Sequence, residues 1–480
     1  MIMTAAMLTE VSPPARPGGD LKSKRAAQVA DHIVKDIVAM GWPVGQILGS
    51  EAVLLDRYQV SRAVLREAVR IVEHQQVAKT RRGPGGGLVI TEPTVDAVID
   101  AVVLFLYRVE APLDDVFEAR IVLEEIASDL APGRLDEEDL SRLRSFVDDT
   151  RPGPADPRAL HALVASISRN PVLELLVDVL NRVTMLYSSG WQNFGPAVGA
   201  ETTYAHARIA EAVMSGDSGL ARHRMRRHLE AEADYLRRRR STRQLLPDSV
   251  ILLGQPGIGK RGEAVARRIT QAVVVNGLQP GQMVGTEPEL IEREGVSRAV
   301  FREAVRLLEH HQIARMRRGP GGGLFVFEPS AAAVTDIAAI YLARRGMRLA
   351  DLAELRTGVE VVIAGLAASK IDAAGVAGLR EALDREAKTP QEEQADVVHD
   401  LHAAVAAAAG NRVLELVALV FIRLSRIYQI ERLAPPAREQ IQAEVLRTHE
   451  GIAAAIESGD RELARHRMRR HLDALGSLMR

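Results

Sequence analysis

Three arginines at four-residue spacing, Arg62, Arg66 and Arg70, follow Ser61 directly, and Ser297, Arg298, Arg302 and Arg306 repeat the arrangement later in the chain. That spacing puts the three guanidinium groups on one face of a helix. Such a row can meet phosphates, and each Arg can donate two bonds to guanine O6 and N7. The serine is a good N-cap residue, and the first-turn amides behind it form an anion site. The opposite face, Val64, Leu65, Ala68, Val69 and Val72, is apolar. Downstream lie Arg81-Arg82-Gly83-Pro84-Gly85-Gly86-Gly87 and their copy, Arg317-Arg318-Gly319-Pro320-Gly321-Gly322-Gly323. Glycine removes the side chain that would keep backbone away from a ligand. Arg82 and Arg318 then reach toward phosphate or a minor groove. Residues 60–88 and 296–324 agree at 22 of 29 positions, and each stretch holds six basic residues against two acidic ones. Positive charge is concentrated there in a chain whose net charge is −1. A local basic patch is what phosphate binding requires.

A second set of chemistry-bearing residues is histidine. His161, His206 and His228 each share a helical face with apolar neighbours, and His402, His449 and His471 repeat the set. His223, placed among arginines, reads as solvated. Three inward imidazoles from three helices suit a divalent metal such as Zn²⁺. The alternative is a histidine pocket that binds the carboxylate of a small molecule directly. Arg120 with Glu124, and Arg356 with Glu360, stand four residues apart on the first long helix of each histidine region. They either help hold an anionic effector or form simple i,i+4 pairs.

The elements that must position these residues follow from periodicity and caps. Each half starts with a helix that stops at Gly with Pro close behind, Gly41-Trp42-Pro43 and Gly277-Leu278-Gln279-Pro280. A short helix over 51–58 or 287–294 follows, then the arginine helix, then two short strands around the Gly-rich turn. The expected fold is mainly α: two winged helix-turn-helix domains (three helices plus a β-hairpin), each followed by an all-α helical-bundle effector domain. The boundaries are a disordered leader over 1–22, a winged helix over 23–93 and a helical domain over 94–240. A linker over 241–260, a second winged helix over 261–329 and a second helical domain over 330–480 complete the chain. In the first helical domain, helices are expected over 95–108, 114–131, 136–149, 157–168, 171–188, 202–214 and 217–238, with a Gly- and aromatic-rich loop over 189–200.

The motif Val-Ser-Arg-x-x-x-Arg-Glu-Ala-Val-Arg with the wing Arg-Gly-Pro-Gly-Gly-Gly resembles the GntR family of bacterial transcription regulators. The helical remainder resembles the ligand-binding domain of its FadR subgroup, so the likeness covers nearly the whole chain, twice. The resemblance implies a ligand-responsive, sequence-specific regulator, in the usual case a repressor, and not an enzyme. Its DNA contacts would be Ser61, Arg62, Arg66, Arg70, Arg82 and Gly83, with Ser297, Arg298, Arg302, Arg306, Arg318 and Gly319 in the second copy. The partner would be a double-stranded operator with an inverted repeat. The family's Pro-Ser-Glu-Arg before the second helix is replaced by Gly49-Ser50-Glu51-Ala52 and Gly285-Thr286-Glu287-Pro288, which removes one DNA contact. The resemblance also implies a divalent, Zn-like metal in each effector domain, held by the three histidines and an Asp four residues before the first. Those positions hold Pro157 and Val398 here. Family members work as homodimers of a chain half this long. Either one chain forms that pair internally or whole chains pair and carry four heads.

Composition excludes several other classes. Hydrophobic residues make up 47% of the 480, and aromatics 4%. No apolar run is long enough for a membrane span. The start lacks a signal-peptide core. The absence of Cys excludes disulfides and thiolate chemistry and fits the cytoplasm of a bacterium. Two enzyme readings remain as alternatives. Gly254-x4-Gly259-Lys260 has phosphate-loop spacing, but Arg261 stands where Ser or Thr should hold Mg²⁺. A three-His metal hydrolase would need a carboxylate base beside the histidines, and none is evident from spacing.

Overall fold

This computed structural model describes residues 20–81, 83, 85–148, 156, 158–187, 196–239, 261–310, 313–317, 319, 321–327, 331–389, 397–428 and 435–478. The expected leader enters this range only at Asp20, where the first helix already begins. The linker, the phosphate-loop look-alike and the wing residues Arg82 and Arg318 lie outside the described residues. Two compact units divide at Pro93–Thr94.

In the first unit, α1 (Asp20–Ala39), α2 (Glu51–Tyr58) and α3 (Arg62–His74) precede strands β2 (Ala78–Arg81) and β3 (Gly87–Ile90). Ser50 caps α2, and α2 ends at Gln59 in the left-handed region, φ 49°. The next residues, Val60 and Ser61, turn the chain directly into α3. Buried Ala26, Ile33 and Ile37 of α1 meet Leu65, Ala68 and Val72 of α3, with Trp42, Leu54 and Ile90 closing the core. The Trp42 indole donates to the carbonyl of Thr91 at 2.8 Å. The sheet has one more strand than the expected hairpin: β1 (Ile47–Gly49) pairs with β3, giving the order β1-β3-β2. Three residues are too few to show an alternating pattern in sequence. Gly87 makes this pairing possible, since a Cβ there would lie 2.5 Å from the Gly49 carbonyl oxygen.

Residues 261–327 repeat the element order. Helices α11 (Arg261–Val275), α12 (Glu287–Glu294) and α13 (Arg298–His310) accompany β4 (Met283–Gly285), β5 (Ala314–Arg317) and β6 (Gly323–Val326). The sheet order is β4-β6-β5, and Gly323 stands against Gly285 as Gly87 does against Gly49. The apolar core is Val265, Ile269, Leu290, Phe301, Leu308 and Leu324.

The helical regions are α4 (Val95–Arg108), α5 (Leu113–Leu130), α6 (Glu137–Arg144), α7 (Ala159–Ile167), α8 (Pro171–Tyr187), α9 (Pro196–Met214) and α10 (Ser218–Arg239) in the first half. The second half supplies α14 (Ala331–Arg344), α15 (Leu349–Lys370), α16 (Ala373–Lys388), α17 (Asp400–Ala408), α18 (Arg412–Tyr428), α19 (Pro435–Glu457) and α20 (Arg461–Leu478). Two departures from the expected helices stand out. Helix α9 starts at Pro196, a favoured first helical position, and so takes in part of the expected loop. Helix α6 stops at Arg144.

The two helical regions share one continuous apolar core. Helix α4 packs on α14, α5 on α15 and α18, and α8 on α15. Their polar contacts are reciprocal. Asn170 Nδ2 donates to the Asp351 carbonyl at 2.8 Å and to Glu354 at 3.1 Å. Asn411 Nδ2 donates to the Asp115 carbonyl at 3.1 Å and to Glu118 at 2.8 Å. Arg134 pairs with Glu354, and Lys370 pairs with Glu118 at 3.5 Å. This is the pattern of an isologous interface, in which each contact recurs with the partners exchanged.

Candidate nucleic-acid interface and buried histidine centres

Helix α3 begins where Ser61 Oγ accepts the Val64 amide at 3.4 Å, and α13 begins the same way, with Ser297 Oγ and Val300. Val64, Leu65, Ala68 and Val72 face the core, which leaves Arg62, Arg66 and Arg70 exposed. Arg66 reaches Glu51 at 3.4 Å and Arg70 reaches Glu67 at 3.0 Å. In the second copy, Arg298 and Arg302 both approach Glu287, at 2.7 and 3.8 Å. The arginines of these pairs stay exposed, where ion pairs are weak, so phosphates can displace the carboxylates.

The wing tips match closely. Gly83 and Gly319 have φ of 101° and 102°, and Gly85 and Gly321 have φ of 71° and 72°. These left-handed values favour glycine. In both tips the amide three residues on closes the turn, Gly86 N to Gly83 O and Gly322 N to Gly319 O, each at 2.8 Å. The flanking arginines are anchored differently. Arg81 donates to the Gly85 carbonyl at 2.8 Å, while Arg317 lies over the Phe325 ring, 4.2 Å from its centroid.

The histidines come together as two centres. In the first, His161 from α7, His206 from α9 and His228 from α10 converge through their Nε2 atoms. His206 Nε2 lies 3.1 Å from His228 Nε2, which lies 3.3 Å from His161 Nε2. His161 Nδ1 is hydrogen-bonded to Glu124 on α5. Burial alone would raise the Glu124 carboxyl, but the neighbouring His161 and Arg120 hold it down at about 2. It is therefore a carboxylate, and it accepts the Nδ1 proton of His161 while the Nε2 edge of that ring faces the cluster. Burial, with the adjacent imidazoles, pushes His206 and His228 well below the usual histidine value. Arg120 donates to Glu124 at 2.9 Å, to Glu232 at 3.0 Å and to Thr184 at 3.3 Å. A cavity of about 540 Å³ adjoins the centre, lined in part by Tyr204, Arg224, Arg227, His228 and Glu232. His223 is exposed.

The second centre uses His402 from α17, His449 from α19 and His471 from α20. His449 Nε2 and His402 Nε2 lie 3.2 and 3.3 Å from His471 Nε2. Here two Nδ1 atoms meet carboxylates: His402 meets Glu360, and His449 meets Glu386 at 2.8 Å. Each Nδ1 donates to its carboxylate, which turns the Nε2 edge of both rings toward His471. His471, pushed down to about 2 chiefly by burial, is neutral and offers at most one Nε2 proton. Tetrahedral Zn²⁺ with Zn–N bonds of about 2.05 Å sets its nitrogens about 3.3 Å apart, in line with the spacings seen here. The carboxylate–histidine pairs are also the outer contacts that orient metal-bound imidazoles. The three-histidine donor set and its spacings thus fit a divalent metal in both centres.

Sequence reasoning picked the six histidines but missed the carboxylates behind them. Glu124 and Glu360 were visible only as i,i+4 partners of Arg120 and Arg356, and each also reaches a histidine about forty residues away. Glu232 and Glu386 carried no signal, because each sits on an otherwise ordinary charged helical stretch.

Comparison with known proteins bears on both regions. The FCD domain family matches residues 115–231 and 351–474, together half of the chain. The family described as bacterial regulatory proteins, gntR family, matches residues 25–87. An uncharacterized HTH-type transcriptional regulator of Bacillus subtilis (strain 168), YcbG, is 32% identical over 161 residues, which span 32% of this chain and 66% of that relative. The HTH-type transcriptional regulator LutR of the same organism is 27% identical over 206 residues, 40% of this chain and 92% of its own. Among solved structures, the Streptococcus agalactiae GntR is 22% identical, covers 44% of this chain and 99% of its own length, and superposes with a TM-score of 0.30.

Proposed function

The chain belongs to the FCD-domain proteins of the bacterial gntR regulator family, and from that premise we propose that it is a ligand-responsive, sequence-specific repressor with two DNA-reading heads in one polypeptide. The observation that carries this reading is the recurrence of one exposed arginine face. Helices α3 and α13 share the serine cap, the arginine row and a glycine wing tip with the same dihedral angles. Ser61, Arg62, Arg66 and Arg70, with Arg82 and Gly83 of the wing, contact one half-site. Ser297, Arg298, Arg302, Arg306, Arg318 and Gly319 contact the other. The contact residues are the same in both copies, so the half-sites are near-identical and form an inverted repeat.

The reciprocal Asn170 and Asn411 contacts support pairing of the two effector domains within one chain. His161, His206 and His228 in one centre, and His402, His449 and His471 in the other, would hold a divalent metal, which would supply a Lewis-acidic contact for an anionic group of the effector. Effector binding and DNA binding compete through one conformational equilibrium of the paired domains. A bound effector that favours a head spacing unlike that of the operator releases the DNA.

Selection of bound fragments from genomic DNA tests this reading. It should return one short inverted repeat, and Arg62→Ala and Arg298→Ala should each weaken binding to it. Unchanged affinity in both variants would show that the arginine face is not the reading surface.

A further inference from the structure

Some contacts between the two helical domains do not recur with their partners exchanged. Helix α5 packs on α15, and Ile126 of α5 sits against Gly358 of α15. A Cβ at Gly358 would stand 2.6 Å from Ile126 Cδ1 and 3.1 Å from Ile126 Cγ1. Glycine in the middle of a helix weakens it, and Gly358 lies well inside α15. Its role is therefore tertiary: it forms a socket for Ile126.

The reciprocal position is built differently. The copies align from Asp115 on Asp351 to Arg134 on Lys370, which sets Val122 on Gly358 and Ile126 on Val362. Where the second domain has a socket, the first has a buried branched side chain, Val122. Where the first domain has isoleucine as a key, the second has valine, shorter by one carbon. Two polar contacts are one-sided as well. The Arg412 amide donates to Asp115 at 2.8 Å. Its counterpart is Pro171, which has no N–H, and Asp351 is held by Arg348 of its own domain at 2.7 and 3.1 Å. Arg345 reaches Glu174 at 3.5 Å. The counterpart of Arg345 is Val109, and Glu415 pairs with nearby Arg412 at 3.3 Å.

Paired with a copy of itself in the same geometry, the first domain would set Ile126 on Val122 twice. It would also set Pro171 against Asp115 and Val109 beside Glu174. A second domain paired with itself would leave each Gly358 socket facing the shorter Val362. Overfilling and underfilling both destabilise a close-packed contact. Only the unlike pair fills the socket and makes both one-sided polar contacts.

We propose that Ile126 and Gly358 are specificity-determining residues, a key and socket by which the first FCD domain selects the second and rejects a second copy of itself. This rests on the reading that the two effector domains pair. Selection of this kind needs a penalty on the wrong partner as well as a fit to the right one, and Val122 supplies the penalty. Two near-identical DNA heads are then kept on one unlike pair of effector domains, and like halves of separate chains do not join.

The chain has no cysteine, so introduced cysteines joined by a short bis-maleimide report which domains pair. Full-length chains carrying Glu118→Cys are mixed in urea with chains carrying Arg134→Cys and refolded together. Pairing of two first domains would bring these positions together, as Glu118 and Lys370 meet in the unlike pair. The native interface should give no linked dimer. Moving the socket into the first domain, by Val122→Gly with Gly358→Val in both chains, should give linked dimers. Gly358→Val alone should lower the midpoint of urea unfolding, and Ile126→Ala in the same chain should restore most of that loss. No such recovery is expected if valine merely damages α15. Linked dimers from the native interface, none from the exchanged one, or no recovery with Ile126→Ala would overturn the proposal. The first of these outcomes overturns it even if no variant folds. A chain with both Glu118→Cys and Lys370→Cys tests the pairing within one chain separately. A link inside the chain supports that pairing, whereas a link between chains assigns it to whole chains and leaves the selection by Ile126 and Gly358 standing.

Discussion

Asn170 donates to the main-chain carbonyl of Asp351, 2.8 Å away across the boundary between the two helical domains. Its Oδ1 meanwhile accepts the amides of Val172 and Leu173, so the same side chain starts helix α8 and ties it to the other domain. Asn411 does the same for α18, capping Val413 and Leu414 and reaching Asp115. Both residues are almost fully buried, at 1% exposure.

Loss of either asparagine should therefore cost more than a surface contact. Asn170→Ala removes a cap and strands buried groups, with an expected loss of ~1–3 kcal/mol in urea unfolding. Arg134→Ala removes a partly exposed charge pair with Glu354 and should cost less, ~0.2–1 kcal/mol. The reverse order would mean that the asparagines do not hold the domains together.

Metal content should be two divalent ions per chain by elemental analysis after purification without chelator. His402→Ala should reduce it to one, leaving the first centre loaded. Glu360→Gln should weaken retention at the second centre by ~10–100-fold, because it removes the acceptor that orients His402. A chain that retains no ion, or a His402→Ala variant that keeps two, would exclude the histidine centres as metal sites.

DNA affinity should fall steeply with salt, since counterion release from phosphate contacts dominates binding. Arg62→Ala and Arg298→Ala should each cost ~1–3 kcal/mol if the arginine reads a base edge. If it touches only phosphate, the loss is uniform across sequences and the salt slope falls by about one. Equal effects of the two substitutions are expected from the matching geometry of α3 and α13. An effect from only one would show that a single head reads DNA.

Much of this architecture was legible in the sequence because it depends on local chemistry. Ser61 before a 3.6-period apolar stripe marked α3, and Val95–Arg108 announced itself by its apolar content. Strand β1 was not legible, since Ile47–Gly49 is too short for alternation and exists only through its pairing with β3. The histidines stood out as polar residues on apolar faces. The carboxylates behind them did not, because the contacts of Glu124 with His161 and of Glu232 with Arg120 depend on packing between distant helices.

A single chain that pairs its own effector domains and presents both heads to one operator is tested most directly by the mass of the DNA complex. Sedimentation of the purified chain with a duplex bearing both half-sites should give one chain per duplex, and the free chain should run at the mass of a monomer. Two chains per duplex, with a free chain that runs as a dimer, would contradict it and assign the pairing to whole chains.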